Sequence, residues 1–168
     1  MEDMLSRFSK GRKTFDSPVG LFCRKKEAFQ IASECAALIH GHPSGYLSAG
    51  VLAHIIVCII EGVEIEEAVK DALLILDKYN GKEECSNAIR KAVELVNSSK
   101  EPYDAISLLG KGWVGEEAIA ISIYCALRYR NDFRKALYDV VNHDGDRDST
   151  GAITGNILGA YLRNKRHS

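Results

Sequence analysis

Residues 47–60 are apolar around nearly the whole circumference of a helix, interrupted only by Ser48, Gly50 and His54. A helix without a polar face has to sit inside a shell of other helices. The run falls short of the ~20 residues that a bilayer crossing requires. The sequence therefore predicts a core helix rather than a membrane span.

The flanking sequence supplies the shell. Phe29, Ala32, Ala36 and Ile39 stripe a helix over about 26–40, which Pro43 and Gly45 end. Ile65, Val69, Ala72 and Leu76 stripe the next, with Glu64, Glu66 and Glu67 in its first turn, where the helix dipole favours anions. Cys85, Ile89, Ala92 and Val96 stripe another. Residues 98–102 read as a loop, as do 109–115, where three glycines surround Trp113. Glu116 and Glu117 open a helix over 118–128, and Asp132 is suited to cap one that carries Phe133, Leu137 and Val140. A last helix starts inside an aspartate cluster and runs to about Asn164. No stretch alternates as a strand would, and no fixed repeat period occurs. The expected fold is all-α, an orthogonal bundle of about seven helices with one core.

Composition narrows the function classes. With 22 basic and 23 acidic residues, the net charge of -1 gives no global field to recruit nucleic acid or an anionic membrane. The clusters 24–26 and 163–166 read as solvated helix ends. Cys23, Cys35, Cys58, Cys85 and Cys125 are odd in number and form no C-x-x-C pair, so small buried thiols in a reducing cytoplasm are expected. Residues 1–13 are charged and carry no apolar signal-peptide core.

Chemistry concentrates in residues 142–151, Asn-His-Asp-Gly-Asp-Arg-Asp-Ser-Thr-Gly. Asp144, Asp146 and Asp148 would repel one another without positive charge among them. A helix N-terminus supplies some and a divalent cation more. Oxygen-only donors suit magnesium, calcium or manganese rather than zinc. Capping by Asp148 or Ser149, with Asp144 and Asp146 making turns, accounts for the same residues without a metal. An EF-hand does not, because the sixth position from Asp144 is Ser149 and the twelfth is Gly155. Gly151, Gly155 and Gly159 follow at helical spacing; glycine costs about 1 kcal/mol against alanine inside a helix, so the stripe predicts close approach of a neighbouring helix backbone.

Three segments, in order, resemble the ADP-ribosylglycohydrolase family. Residues 145–162, GDRDSTGAITGNILGAYL, resemble its C-terminal metal motif; 109–129, LGKGWVGEEAIAISIYCALRY, the segment before it in bacterial members of the ADP-ribosyl-dinitrogenase-reductase hydrolase type; and 39–50, IHGHPSGYLSAG, its histidine-containing ligand segment. The resemblance implies an all-α enzyme that uses two magnesium ions to hydrolyse the glycosidic bond of an ADP-ribosyl group, carried on a protein or a small molecule. It assigns Asp146, Asp148 and Ser149 to the metal, His40 to the phosphate and distal ribose, and Trp113 to the adenine side. Read without the family, His40 and His42 are surface histidines at a frayed helix end, and Trp113 is an aromatic pinning a loop.

The sequence also departs from the family. The Thr-Asp-Asp motif that supplies the remaining metal ligands in its N-terminal half does not occur, and residues 11–17, GRKTFDS, stand where a glycine-rich loop precedes the Pro18 to Phe22 stretch. The expected organisation is a divergent segment, 1–17, followed by the C-terminal part of the family domain, 18–164. The magnesium site is then partly liganded. A complementing chain, self-association, a non-catalytic ADP-ribose-binding remnant and a helical interaction protein are the alternatives this leaves.

Overall fold

The computed structural model describes residues 24–165. Residues 1–17, expected to be divergent, the Pro18 to Phe22 stretch and Cys23 lie outside the described residues. Among the described residues eight helices follow in order: α1 Lys25–Ala37, α2 Pro43–Ile60, α3 Ile65–Leu76, α4 Glu83–Val96, α5 Pro102–Leu109, α6 Gly115–Arg128, α7 Phe133–Val141 and α8 Arg147–Lys165. No strand occurs among the described residues. The fold is an all-α multi-helix bundle.

The apolar run forms most of α2, which is buried from Leu47 to Ile59. Among the described residues α2 is the one helix long and apolar enough to cross a membrane, and 72% of it is buried inside the protein. It is a core helix, wrapped by α1, α3, α6 and α8. A second helix shares the centre. Ile119, Ile123 and Ala126 of α6 join the core around α2, whereas Ala120, Ile121, Tyr124 and Cys125 on its other side join a smaller core with α4, α5 and α7. α6 thus ties the two cores together.

Three expectations are corrected. α5 is a helix that loop-like flanks concealed, started by Pro102 at its first position and buried through Ala105, Ile106 and Leu109. The glycine stripe of α8 meets no helix backbone. A β-carbon at Gly151 would touch Val141 Cγ1 at 3.1 Å, one at Gly155 would touch Leu137 Cδ2 at 3.9 Å, and one at Gly159 would meet nothing. Close backbone approach occurs instead at Gly115, where a β-carbon would lie 2.5 Å from Ser48 Oγ and 2.9 Å from the Ser44 carbonyl oxygen. The first turn of α6 is therefore pressed against the first turns of α2. Among the cysteines, Cys58, Cys85 and Cys125 are buried as expected, but Cys35 is exposed. Burial pushes the Cys58 thiol up to about 11 and the Cys85 thiol to about 12, so both are inert packing groups unless something replaces their protons.

Candidate functional site

The contact between α2 and α6 creates a cavity of about 340 Å³ beside their N-termini. The chain leaves α1, turns through residues 38–42 and enters α2 at Pro43, whose fixed φ suits the first helical position. His42 caps the helix: its Nδ1 accepts the Ser44 amide at 3.4 Å and lies 3.0 Å from Ser44 Oγ. His40, Ser48, Trp113, Glu116, Ile119 and Ile153 are among the residues that line the cavity. His40 and Trp113, far apart in sequence, are thus brought to one space. Trp113 lines the cavity and is 53% exposed, so its indole is not locked into the core.

Glu116 and Glu117 occupy the first turn of α6 and do different work. Glu117 Oε2 accepts the backbone amides of Lys111 at 3.1 Å and Gly112 at 2.9 Å, which fixes the loop that carries Trp113. Glu116 turns toward the cavity, and its Oε2 is buried without a hydrogen-bond partner. A buried acceptor left unpaired costs on the order of 1–3 kcal/mol. Sequence reasoning gave both residues only a dipole role and missed this one.

The aspartate turn is the neighbouring feature. Asp146, rather than Asp148 or Ser149, caps α8: Oδ1 accepts the Ser149 amide at 3.1 Å and Oδ2 accepts the Ser149 hydroxyl at 2.8 Å. Asp148 is exposed in the first turn, and Asp144 accepts the Tyr103 hydroxyl at 2.8 Å. The turn is held against the Trp113 loop by the Asp146 amide, which donates to the Lys111 carbonyl at 2.8 Å. Beneath it, the His143 ring lies 3.0 Å from Thr150 Oγ1, which donates to the Asp146 carbonyl at 2.9 Å. Burial, and secondarily Arg147, hold the His143 imidazole below its usual 6.5, so it serves as a neutral strut.

Asp146 and Ser149 are therefore together, with Asp148 on the same turn. These three do not line the cavity; Ile153, one helical turn along α8 from Ser149, does. The donor set fits magnesium in kind, since two carboxylates and a hydroxyl are hard oxygen ligands. Ser149 donates its proton to Asp146, so its oxygen keeps its lone pairs as acceptors.

The family profile for ADP-ribosylglycohydrolase matches residues 9–166, nearly the whole chain. The chain belongs to the ADP-ribosylglycohydrolase family. No curated protein and no solved structure matches it. In this family member the aspartate turn and the cavity are adjacent stations on one surface, joined by residues 110–114. The all-α fold agrees with the membership.

Proposed function

We propose that the cavity receives the ADP-ribosyl group of a modified protein or small molecule, and that Asp146, Asp148 and Ser149 hold magnesium beside it for hydrolysis of the glycosidic bond. The observation that carries this reading is the convergence of His40, Trp113 and the unpartnered Glu116 oxygen on one cavity, with the Asp146 turn bonded to the same loop. Each group has a matching task. Trp113 stacks on adenine, and the α2 and α6 N-termini present partial positive charge to a diphosphate. His40 donates to a phosphate or ribose oxygen, and Glu116 accepts from a hydroxyl or amino group. At about 340 Å³ the cavity lies near the low end of the roughly 300–1,000 Å³ typical of ligand pockets, so it takes part of ADP-ribose while the rest extends over the surface.

When bound, magnesium would orient ribose hydroxyls and a water molecule. Three protein oxygens leave much of its shell to water, and magnesium holds weakly in such a site. A complementing chain or a second copy can supply the further acidic ligands that complete the shell. The three oxygens at Asp146, Asp148 and Ser149 are then part of a site, and turnover requires the rest of the shell.

Calorimetry with ADP-ribose, with and without magnesium, tests the binding; an assay of ADP-ribose release, for the chain alone and mixed with a Thr-Asp-Asp-bearing chain, tests the chemistry. Saturable binding that magnesium strengthens is expected. An absence of heat at millimolar ADP-ribose overturns the reading.

A further inference from the structure

A second cluster lies outside this site, where α1, α2 and α3 meet. His54 and Cys58, one turn apart on α2, are buried, and Asp71 of α3 reaches them from the partly exposed edge. His54 Nε2 lies 3.2 Å from Asp71 Oδ2 and 3.3 Å from Cys58 Sγ, and Cys58 Sγ lies 3.8 Å from Asp71 Oδ2. Lys25 Nζ of α1 sits 2.7 Å from the same Asp71 oxygen. We propose that His54, Cys58 and Asp71 form a binding site for a borderline-soft divalent cation of the zinc class, with Lys25 as a competing gate.

The spacing is that of a metal tetrahedron. Zinc bonds of about 2.0–2.3 Å at tetrahedral angles place ligand atoms about 3.3–3.6 Å apart. The three separations here fall within a few tenths of an ångström of that range. The i, i+4 relation puts the imidazole and the thiol on one face of the most enclosed helix among the described residues, so two ligands are positioned before an ion arrives. Nitrogen, sulfur and carboxylate oxygen together select zinc or cobalt over magnesium. The site is thus distinct in chemistry, as well as in place, from the oxygen-only turn at Asp146.

The same three residues look like a nucleophile with its base. Cys58 and His54 are 0% and 1% exposed, so no substrate carbon can reach the sulfur. An ion small enough to enter beside Asp71 can. Lys25 already neutralises Asp71 from the solvent side, and being about one-third exposed it can swing into water as a divalent ion takes its place.

Cobalt(II) titration of the metal-free full chain tests the proposal. One equivalent should bind, with sulfur-to-cobalt charge-transfer absorption and the intense visible bands of a tetrahedral site, and zinc should displace it. Cys58→Ser should remove the charge-transfer band and weaken binding about 100-fold with the circular dichroism unchanged; Asp71→Asn, at the exposed edge, should weaken it about tenfold. Lys25→Gln should tighten binding several-fold, and Asp146→Asn should leave it unaltered. A folded wild-type chain that shows no charge-transfer band at millimolar cobalt overturns the proposal. So does a band that persists at full strength in Cys58→Ser, which would place the ion on another thiol.

Discussion

A β-carbon at Gly145 would collide with the carbonyl of Lys111, the same oxygen that accepts the Asp146 amide at 2.8 Å. The glycine of the aspartate motif is thereby explained by the loop it touches. Gly145→Ala must push residues 110–114 away from the aspartate turn, and overpacking of this kind costs about 1–3 kcal/mol. Gly159→Ala, where no atom lies within 4 Å, should stabilise by up to about 1 kcal/mol through helix propensity. Urea unfolding of the two variants should move in opposite directions.

Asp146 combines helix capping with a predicted metal role, and the two separate by substitution. Asn at this position keeps an oxygen for the Ser149 amide, so Asp146→Asn should remain within about 0.5 kcal/mol of wild type while magnesium binding falls. Asp146→Ala removes the cap as well and should cost about 1 kcal/mol. Exposed Asp148 changed to Ala should lower magnesium affinity with little effect on stability. Denaturant midpoints and magnesium calorimetry on the same preparations distinguish these outcomes.

His143 gives stability a direction with pH. Its imidazole is held below 6.5 in the folded chain, chiefly by burial, and His54 is shifted the same way by burial. The unfolded chain therefore takes up protons first. Their contribution is complete above about pH 6.5 and declines as pH falls from there toward the folded values. The urea midpoint should drop between about pH 7.5 and 5.5, and His143→Gln should flatten that slope. An unchanged slope in the variant would contradict the account.

Glu116 exchanges stability for binding. Its buried oxygen lacks a partner, so Glu116→Met should stabilise the chain by about 1–2 kcal/mol. The same change should weaken ADP-ribose binding about tenfold, the equivalent of about 1.4 kcal/mol. Thermal unfolding and calorimetry on one preparation read both effects.

Much of this architecture was legible in the chain because burial leaves a periodic trace. Residues 47–60 had no polar face, and α2 is the enclosed helix; Asp132 stood before Phe133, and it caps α7 by accepting the Lys135 amide at 2.9 Å. α5 was hidden because eight residues hold barely two turns and Pro102 reads as a loop residue. The capping alternative, Asp148 or Ser149, missed Asp146 because three aspartates within five positions have equal capping preference, and the bond of the Asp146 amide to Lys111 is a tertiary contact with no linear trace. Glu116 and Glu117 look alike in sequence, yet successive residues point about 100° apart around a helix, so one reaches the loop and the other the cavity. His40 and Trp113 were singled out by family resemblance rather than by spacing. The His54, Cys58 and Asp71 cluster had no linear signal, since its ligands lie in an apolar run and on a different helix.

Trp113 is the only tryptophan in the chain, and it lines the cavity. Its fluorescence therefore reports on the proposed site without a label. Titration of ADP-ribose into the wild-type chain with magnesium present should quench or shift the emission saturably, with the midpoint found by calorimetry, and Glu116→Met should move that midpoint about tenfold higher. Emission that stays constant to millimolar ADP-ribose, with the chain folded throughout, would contradict the assignment of this cavity.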